Sequence, residues 1–361
     1  MKIAIVGPTH PYKGGIALHT TQLAHHLSAA GNSVEIISWR SQYPFFYPGE
    51  QLVPAGVPEI TVFKNTRRVL SWKNPFGWLI YAKKLRQFDE IIFVWWLPVI
   101  QAPIYLAMLA VLGKSRPKLI LLCHNIVSHS ASPIDRQLTK RVFKSFDKII
   151  VHTEKLAEQA SNLTNASVTV AAMPAHLPGQ PKFQPSSGRL THRLLFFGLV
   201  RHYKGVDVLI KAISEVPSIK LTIAGEMWGK QQTNLRQLIT ELGLQDRVKL
   251  IPGYVPAELI APLFAESDAL VMPYRSGTAS QNVDLAFAYG RPVIATTVGN
   301  MPDQINDKLN GLLCAPDDPD SLSEAIKYFY QNGVAQKLTA NIKPVNAENN
   351  WLKYIQAIMA D

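Results

Sequence analysis

Apolar residues fall in short blocks separated by polar stretches, and their spacing alternates between continuous strand-length runs and a helical period near 3.6. In the first half, strands are predicted at Lys2–Val6, Ser33–Ile37, Ile60–Phe63, Glu90–Trp96, Lys118–Cys123 and Lys148–His152, with a helix over Ile16–Ala29 and helical stretches between most of the others. In the second half, strands are predicted at Leu194–Phe197, Lys220–Ala224, Val248–Pro252, Ala269–Met272, Pro292–Ala295 and Leu312–Cys314. A helix starts at Gly205, where Val206, Val208, Leu209 and Ile213 recur, and others lie around Asn234–Leu242, Pro256–Glu266, Asn282–Tyr289 and Trp351–Ala360. Strands alternating with helices predict an α/β chain with parallel sheets covered on both faces.

Length divides the pattern. A chain of 361 residues is too long for one ordinary α/β core and predicts two domains. The Pro- and Ser-rich stretch Met173–Gly188 reads as the junction, giving a first domain over 1–175, a linker over 176–190, a second domain over 191–345 and a final helical segment over 346–361. The uncharged run 91–113 has the nominal length of a membrane span, but Pro98, Gln101 and Pro103 interrupt it. It is read as a strand, a break and a buried helix.

Composition narrows the class. With 47% hydrophobic and 17% charged residues the chain can fill two cores, which excludes a disordered protein. The two cysteines, Cys123 and Cys314, lie inside apolar runs, which predicts free thiols in a reducing cytoplasm and neither a disulfide framework nor a zinc site. The opening MKIAIVGPTH enters a strand directly and carries no signal-peptide pattern. The net charge of +11 is uneven: residues 1–180 hold 19 Lys+Arg against 9 Asp+Glu, and residues 181–361 hold 18 against 17. A basic first half implies an anionic partner. Residues 65–86 interleave Arg67, Arg68, Lys73, Lys83, Lys84 and Arg86 with Trp72, Phe76, Trp78 and Tyr81. Two readings stay open there, a helix lying on an anionic membrane surface and a core-packing helix with a solvated basic face. Nucleic acid is not expected, because no nucleic-acid-binding motif accompanies the patch.

Candidate chemistry concentrates in RLLFFGLVRHYKGVDVLIK, residues 193–211. A loop that leaves the carboxyl end of a strand and enters a helix is where phosphates are held in open α/β sheets. Arg201 and Lys204 lie in that loop, and each charge-assisted hydrogen bond to a phosphate oxygen contributes about 1.5–3 kcal/mol. Gly14 and Gly15 make a similar strand-to-helix loop in the first domain, without the GxGxxG spacing of a dinucleotide site. His19 lies one turn beyond them and is kept as a candidate. His124 follows the strand KLILLC at the carboxyl edge of its sheet. In the second domain the polar loop SGTASQNVD offers Thr278, Ser280, Gln281 and Asn282 as donors to an anionic or hydroxyl-rich ligand.

The GG loop, FFGLVRHYKG, IAGE and AFAYGRPVIATTVGNMPDQI together resemble the family 4 retaining glycosyltransferases of the GT-B fold. The resemblance extends over nearly the whole chain. It implies two Rossmann-like doubly wound domains facing across a cleft, the final helix crossing back onto the first. It also implies a nucleotide-sugar donor, a glycan or lipid-linked acceptor, and a place in cell-surface polysaccharide or glycolipid synthesis in the cytoplasm or on the inner membrane face. Arg201 and Lys204 would hold the diphosphate, and His124 would meet the transferred sugar. Gly14, Gly15, Gly198, Gly225, Glu226, Tyr254, Tyr274, Thr278, Ser280, Gln281, Asn282 and Asp284 would line the donor site. The family's two glutamates fall at Gly277 and Leu285 here, which places the chain in a variant branch and leaves Asp284 to replace the ribose-binding carboxylate. No cofactor or metal is expected; the single DxD, Asp318-Pro319-Asp320, is read as a helix cap. A non-catalytic nucleotide-sugar-binding protein and a nucleotide-sugar 2-epimerase of the same fold remain as alternatives.

Overall fold

In the computed structural model, which describes residues 1–42, 51–54, 60–113, 116–126, 133–178, 181–185, 189–277 and 280–360, the strands collect into two wholly parallel sheets. The first unit comprises Met1–Val53, Ile60–Pro174 and Ala347–Asp361. Its sheet contains β1 (Lys2–Val6), β2 (Ser33–Ser41), β3 (Thr66–Ser71), β4 (Glu90–Trp95), β5 (Lys118–Cys123), β6 (Lys148–Val151) and β7 (Ser167–Val170), in the spatial order β3-β2-β1-β4-β5-β6-β7. The crossovers carry α1 (Gly15–Ala29), α2 (Pro75–Leu85), α3 (Pro98–Leu112), α4 (Pro133–Phe143) and α5 (Glu154–Ser161).

The central strands are apolar throughout, as a sheet covered on both faces requires. Every residue of β4 is buried. Gln101 explains the polar interruption of the 91–113 run: its Oε1 accepts from the Trp96 and Leu97 amides at 2.7 and 2.8 Å, and its Nε2 donates to the Val94 carbonyl at 2.7 Å. One buried side chain thereby closes β4 and starts α3. No helix among the described residues is long and apolar enough to cross a membrane.

The expected strand at Ile60–Phe63 is displaced to β3. This is an edge strand with Arg67 and Arg68 exposed and Leu70 as its one fully buried side chain, so its charges hide it from an apolar-run reading. Part of the basic 65–86 segment is therefore strand, and only α2 is helix. β7, the opposite edge, is a second strand that its sequence SVTV did not announce.

The second unit, principally Ala175–Asn346, has the order β10-β9-β8-β11-β12-β13. Its strands are β8 (Arg193–Phe197), β9 (Lys220–Gly225), β10 (Val248–Pro252), β11 (Ala269–Met272), β12 (Val293–Thr296) and β13 (Gly311–Cys314). Its helices are α6 (Val206–Ser214), α7 (Gln231–Glu241), α8 (Ala257–Ala265), α9 (Asn282–Ala288), α10 (Met301–Gln304), α11 (Pro319–Phe329) and α12 (Val334–Ala340). The stretch read as a linker is packed rather than free where it is described. The Arg291 guanidinium donates to the Gln184 carbonyl at 2.6 Å and to that of Phe264 at 2.8 Å, while the His176 amide donates to Gln281 Oε1 at 3.1 Å.

The last helix, α13 (Ala347–Met359), belongs to the first unit. Trp351, Tyr354, Ile355 and Ile358 are buried in that core, each contributing about 1.5–3 kcal/mol. Lys148, almost wholly buried, donates to the carbonyls of Ala357, Ile358 and Ala360 and so caps the open end of the helix.

Candidate functional site

In the second unit β8 and β11 are neighbours although far apart in sequence, and the crossovers run in opposite directions on either side of them. Ligands bind outside the carboxyl ends of strands at such a point. Gly198 follows the last residue of β8 and Gly225 ends β9, and the two backbones touch: a Cβ on Gly225 would lie 1.9 Å from the Gly198 carbonyl oxygen. Gly198 has φ 110°, and a Cβ there would lie 3.3 Å from Asn282 Nδ2 and 3.5 Å from Lys204 Nζ. A bare backbone, an ammonium and an amide thus meet at the strand end.

Both cations of the loop are oriented by aromatic rings. The Arg201 guanidinium carbon stacks 3.3 Å from the Trp228 ring centroid, and Lys204 Nζ lies 5.1 Å from that of Tyr274. Burial acts to lower the Lys204 pKa, but the Tyr274 and Tyr203 phenols outweigh it and leave the ammonium above its ordinary value. Lys204 therefore stays charged at neutral pH.

The loop itself is clamped from β11. Gly205, at φ 64°, passes so close that a Cβ would lie 1.9 Å from the Pro273 carbonyl oxygen. The Arg275 amide donates to the Tyr203 carbonyl at 2.7 Å, and Arg275 Nη1 donates to that of His202 at 2.9 Å. Neither Arg275 nor Trp228 was singled out by the sequence, because both act on residues far away along the chain.

The remaining candidates of this unit differ in what engages them. Gln281 and Asn282 are engaged within the protein, Gln281 with His176 and Asn282 through a 2.7 Å hydrogen bond from Nδ2 to the Phe197 carbonyl. Tyr274 is buried with its hydroxyl 3.5 Å from Ser280 Oγ, and Glu226 and Tyr254 are half-buried beyond β9 and β10. Asp284, half-buried in the first turn of α9, has no hydrogen-bond or ion-pair partner among the described residues, and burial raises its carboxyl to about 6. Leu285 is a core residue, so its position holds no polar ligand. Thr278 lies outside the described residues. Asp318 caps α11 by accepting from the Ser321 amide at 2.9 Å.

In the first unit Gly14 and Gly15 are exposed at the start of α1, with open space where a Cβ would be. His124 and His152 follow the neighbouring parallel strands β5 and β6, and His124 Nδ1 lies 3.2 Å from His152 Nε2. His19 is fully buried on α1 with Nε2 3.0 Å from the Tyr354 hydroxyl, so it belongs to the seat of α13 rather than to the Gly14–Gly15 loop. The family resemblance would bring an acceptor to first-domain loops such as Ser41–Gly49 and Ile126–Ser132, and these lie mostly outside the described residues.

The second unit thus presents a glycine-bare, cationic strand end at the switch point of its doubly wound sheet. Residues 13–171 match the family described as Glycosyltransferase Family 4, and residues 191–332 match Glycosyl transferases group 1. The chain belongs to the family 4 glycosyltransferases, whose fold is GT-B. A D-inositol 3-phosphate glycosyltransferase of Pseudarthrobacter chlorophenolicus is 31% identical over 174 residues, 46% of this chain and 41% of that protein. The chain spans about half the length of the curated relatives it matches. Among solved structures, the sucrose-phosphate synthase of Thermosynechococcus elongatus aligns with TM-score 0.73 at 16% identity, covering 99% of this chain and 95% of that one. Anabaena HepE, solved with UDP and glucose, aligns with TM-score 0.71 at 16% identity, covering 99% and 98%.

Proposed function

We propose that this protein moves a sugar from a nucleotide-sugar donor to a hydroxyl of a glycan or lipid-linked acceptor, with retention at the anomeric carbon and without a metal ion. The observation that carries the reading is the meeting of Lys204 Nζ with the bare Gly198 backbone at the switch point, beside an Arg201 held flat on Trp228. A departing nucleoside diphosphate gains negative charge in the transition state, and two fixed cations stabilise it most at that moment. Asp284 serves the ribose hydroxyls in place of the glutamate, and His124 meets a sugar hydroxyl. The UDP and glucose bound to HepE, a protein of the same fold, support a sugar nucleotide as the ligand class.

The acceptor is met at an anionic membrane surface on the cytoplasmic side. Phe76, Leu79 and Ile80 are exposed on one stripe of α2, and Lys83 and Lys84 continue it. Apolar side chains flanked by lysines suit the boundary between acyl chains and anionic headgroups.

Thermal melting with UDP-, GDP- and ADP-sugars tests the donor. At 100 times Kd, binding adds about 2.7 kcal/mol, several degrees in Tm for a unit of this size. One nucleotide class is expected to raise Tm by that amount; no shift with any of the three classes contradicts the reading.

A further inference from the structure

The step from β1 to β2 runs one way along the first sheet, and the steps from β3 to β4, β4 to β5 and β5 to β6 run the other way. Right-handed crossovers therefore place α1 on one face and α2, α3 and α4 on the opposite one. There α3 packs between α2 and α4, while α13 packs against α1 on the far side. Each crossover helix starts at the carboxyl edge of the sheet and returns towards its amino edge.

All three helices open on a proline followed by an apolar residue: Pro75-Phe76, Pro98-Val99 and Pro133-Ile134. Proline suits the first helical position, where its missing N–H costs nothing. The next side chain is left in solvent each time, Phe76 being 73% exposed, Val99 54% and Ile134 68%. One exposed apolar residue is ordinary, but three in the first turns of neighbouring helices make an apolar rim along the carboxyl edge.

The charges lie at the other end of the layer. α2 closes with Lys83 and Lys84, and α4 with Lys140 and Arg141 followed by Lys144, all five exposed. None of the five has a carboxylate partner among the described residues, and Asp135 is the one acidic residue in the two helices. Between them α3 carries no charged residue, and its outward positions Val99, Pro103 and Ala110 are apolar. Arg86 is spent inside the layer, donating from Nη2 to the Val111 and Leu112 carbonyls at 2.7 and 3.2 Å.

We propose that the first unit docks on an anionic bilayer through the whole α2–α3–α4 layer and in a tilted pose. Phe76, Val99 and Ile134 enter the acyl boundary, and the cations of the helix ends rest on the headgroups. A polyanion such as nucleic acid would engage the cations but leave the apolar rim in water, so the two features together select a bilayer. The inference rests on the membrane reading above and adds the orientation. The carboxyl edge of the sheet, where ligands bind in open α/β folds, is the deeper edge, so an acceptor anchored in the bilayer reaches the strand ends without leaving it.

Depth is the direct test. Both native cysteines are buried, so single exposed cysteines can be labelled selectively. Val99→Cys, Ala110→Cys and, on the far side, Gln356→Cys each carry one environment-sensitive fluorophore, and vesicles of phosphatidylglycerol and phosphatidylcholine with brominated acyl chains quench it according to depth. Val99 and Ala110 stand about 16 Å apart along α3. Quenching is expected to be strong at Val99, weaker at Ala110 and absent at Gln356. The combined variant Lys140→Glu, Arg141→Glu and Lys144→Glu should keep the wild-type circular dichroism and bind these vesicles at least about tenfold more weakly. Val99 quenched no more than Ala110, Gln356 quenched as strongly as Val99, or undiminished binding by the folded charge-reversed protein overturns the proposal. Should that protein not fold, the label series decides alone. Wild type that binds no anionic vesicle overturns the membrane reading itself, and the orientation with it.

Discussion

Arg275 and Asp207 form a two-point ion pair, Nη1 to Oδ1 at 2.8 Å and Nη2 to Oδ2 at 2.7 Å, that fastens the segment after β11 to the first turn of α6. The same guanidinium donates from Nε to Asp317 at 2.6 Å. The loop bearing Arg201 and Lys204 is therefore set by a residue that touches neither cation in these contacts. Burial works against the charged Asp207, but its hydrogen bonds and charge attraction with Arg275 win and hold the carboxyl below the usual range.

Arg275→Ala is expected to cost about 1–3 kcal/mol of stability and to raise the donor KM at least tenfold, because the pair is hydrogen-bonded but partly exposed. Its contribution has a defined pH sign. With the folded pKa depressed, the stabilisation is present above the ordinary carboxylate value and lost as pH falls below it, so acid unfolding curves of wild type and variant should converge at low pH.

Asp284 behaves oppositely. Its carboxyl is raised to about 6 by burial, so the charged form is disfavoured in the folded state. Its penalty is present at pH 7 and relieved as pH falls through 6 towards the unfolded value. Asp284→Asn should melt higher at pH 7, by on the order of 1–2 kcal/mol, while binding the donor more weakly. A variant less stable at pH 7 would refute the assignment of a strained carboxylate.

Lys148→Met should release the end of α13, leaving three carbonyls without their buried ammonium at a cost of about 2–4 kcal/mol. Faster hydrogen exchange confined to α13 and the start of β6 is the expected signature.

Binding to anionic vesicles should fall when Phe76 and Ile80 become serine and when Lys83 and Lys84 become glutamate, and wild-type binding should weaken with salt. Arg67 and Arg68 are expected to matter less. Arg67 pairs with Glu35, and Arg68 donates to the His10 carbonyl at 2.8 Å. Unchanged binding by both variants would remove α2 as a docking surface.

Much of this architecture could be read from apolar runs, because buried parallel strands such as β4 and β5 have no polar face to confuse the pattern. The strand-to-helix loops at Gly198 and His124 were legible for the same reason. Edge strands were not, since β3 exposes charges to solvent. The partners that orient the site were hidden by distance: Asp207 lies 68 residues from Arg275, and Trp228 becomes a platform for Arg201 only once β8 and β9 are paired. His152 left a clue, for β5 and β6 pair in register with Leu122 opposite Ile150, and each is followed at the same offset by a histidine. Two adjacent parallel strands ending at the same level bring those rings side by side. Only the packed structure shows that Asn282 and Gln281 spend their amides on the protein itself.

The central claim is that Arg201 and Lys204 stabilise a departing nucleoside diphosphate. It is tested most directly by single-turnover sugar release or transfer with the donor that raises Tm, comparing wild type with Arg201→Ala and Lys204→Ala. Each variant should keep the wild-type circular dichroism and lose at least about 100-fold in rate, with activity insensitive to a chelator in every case. Rates within a few-fold of wild type in both folded variants would contradict the account.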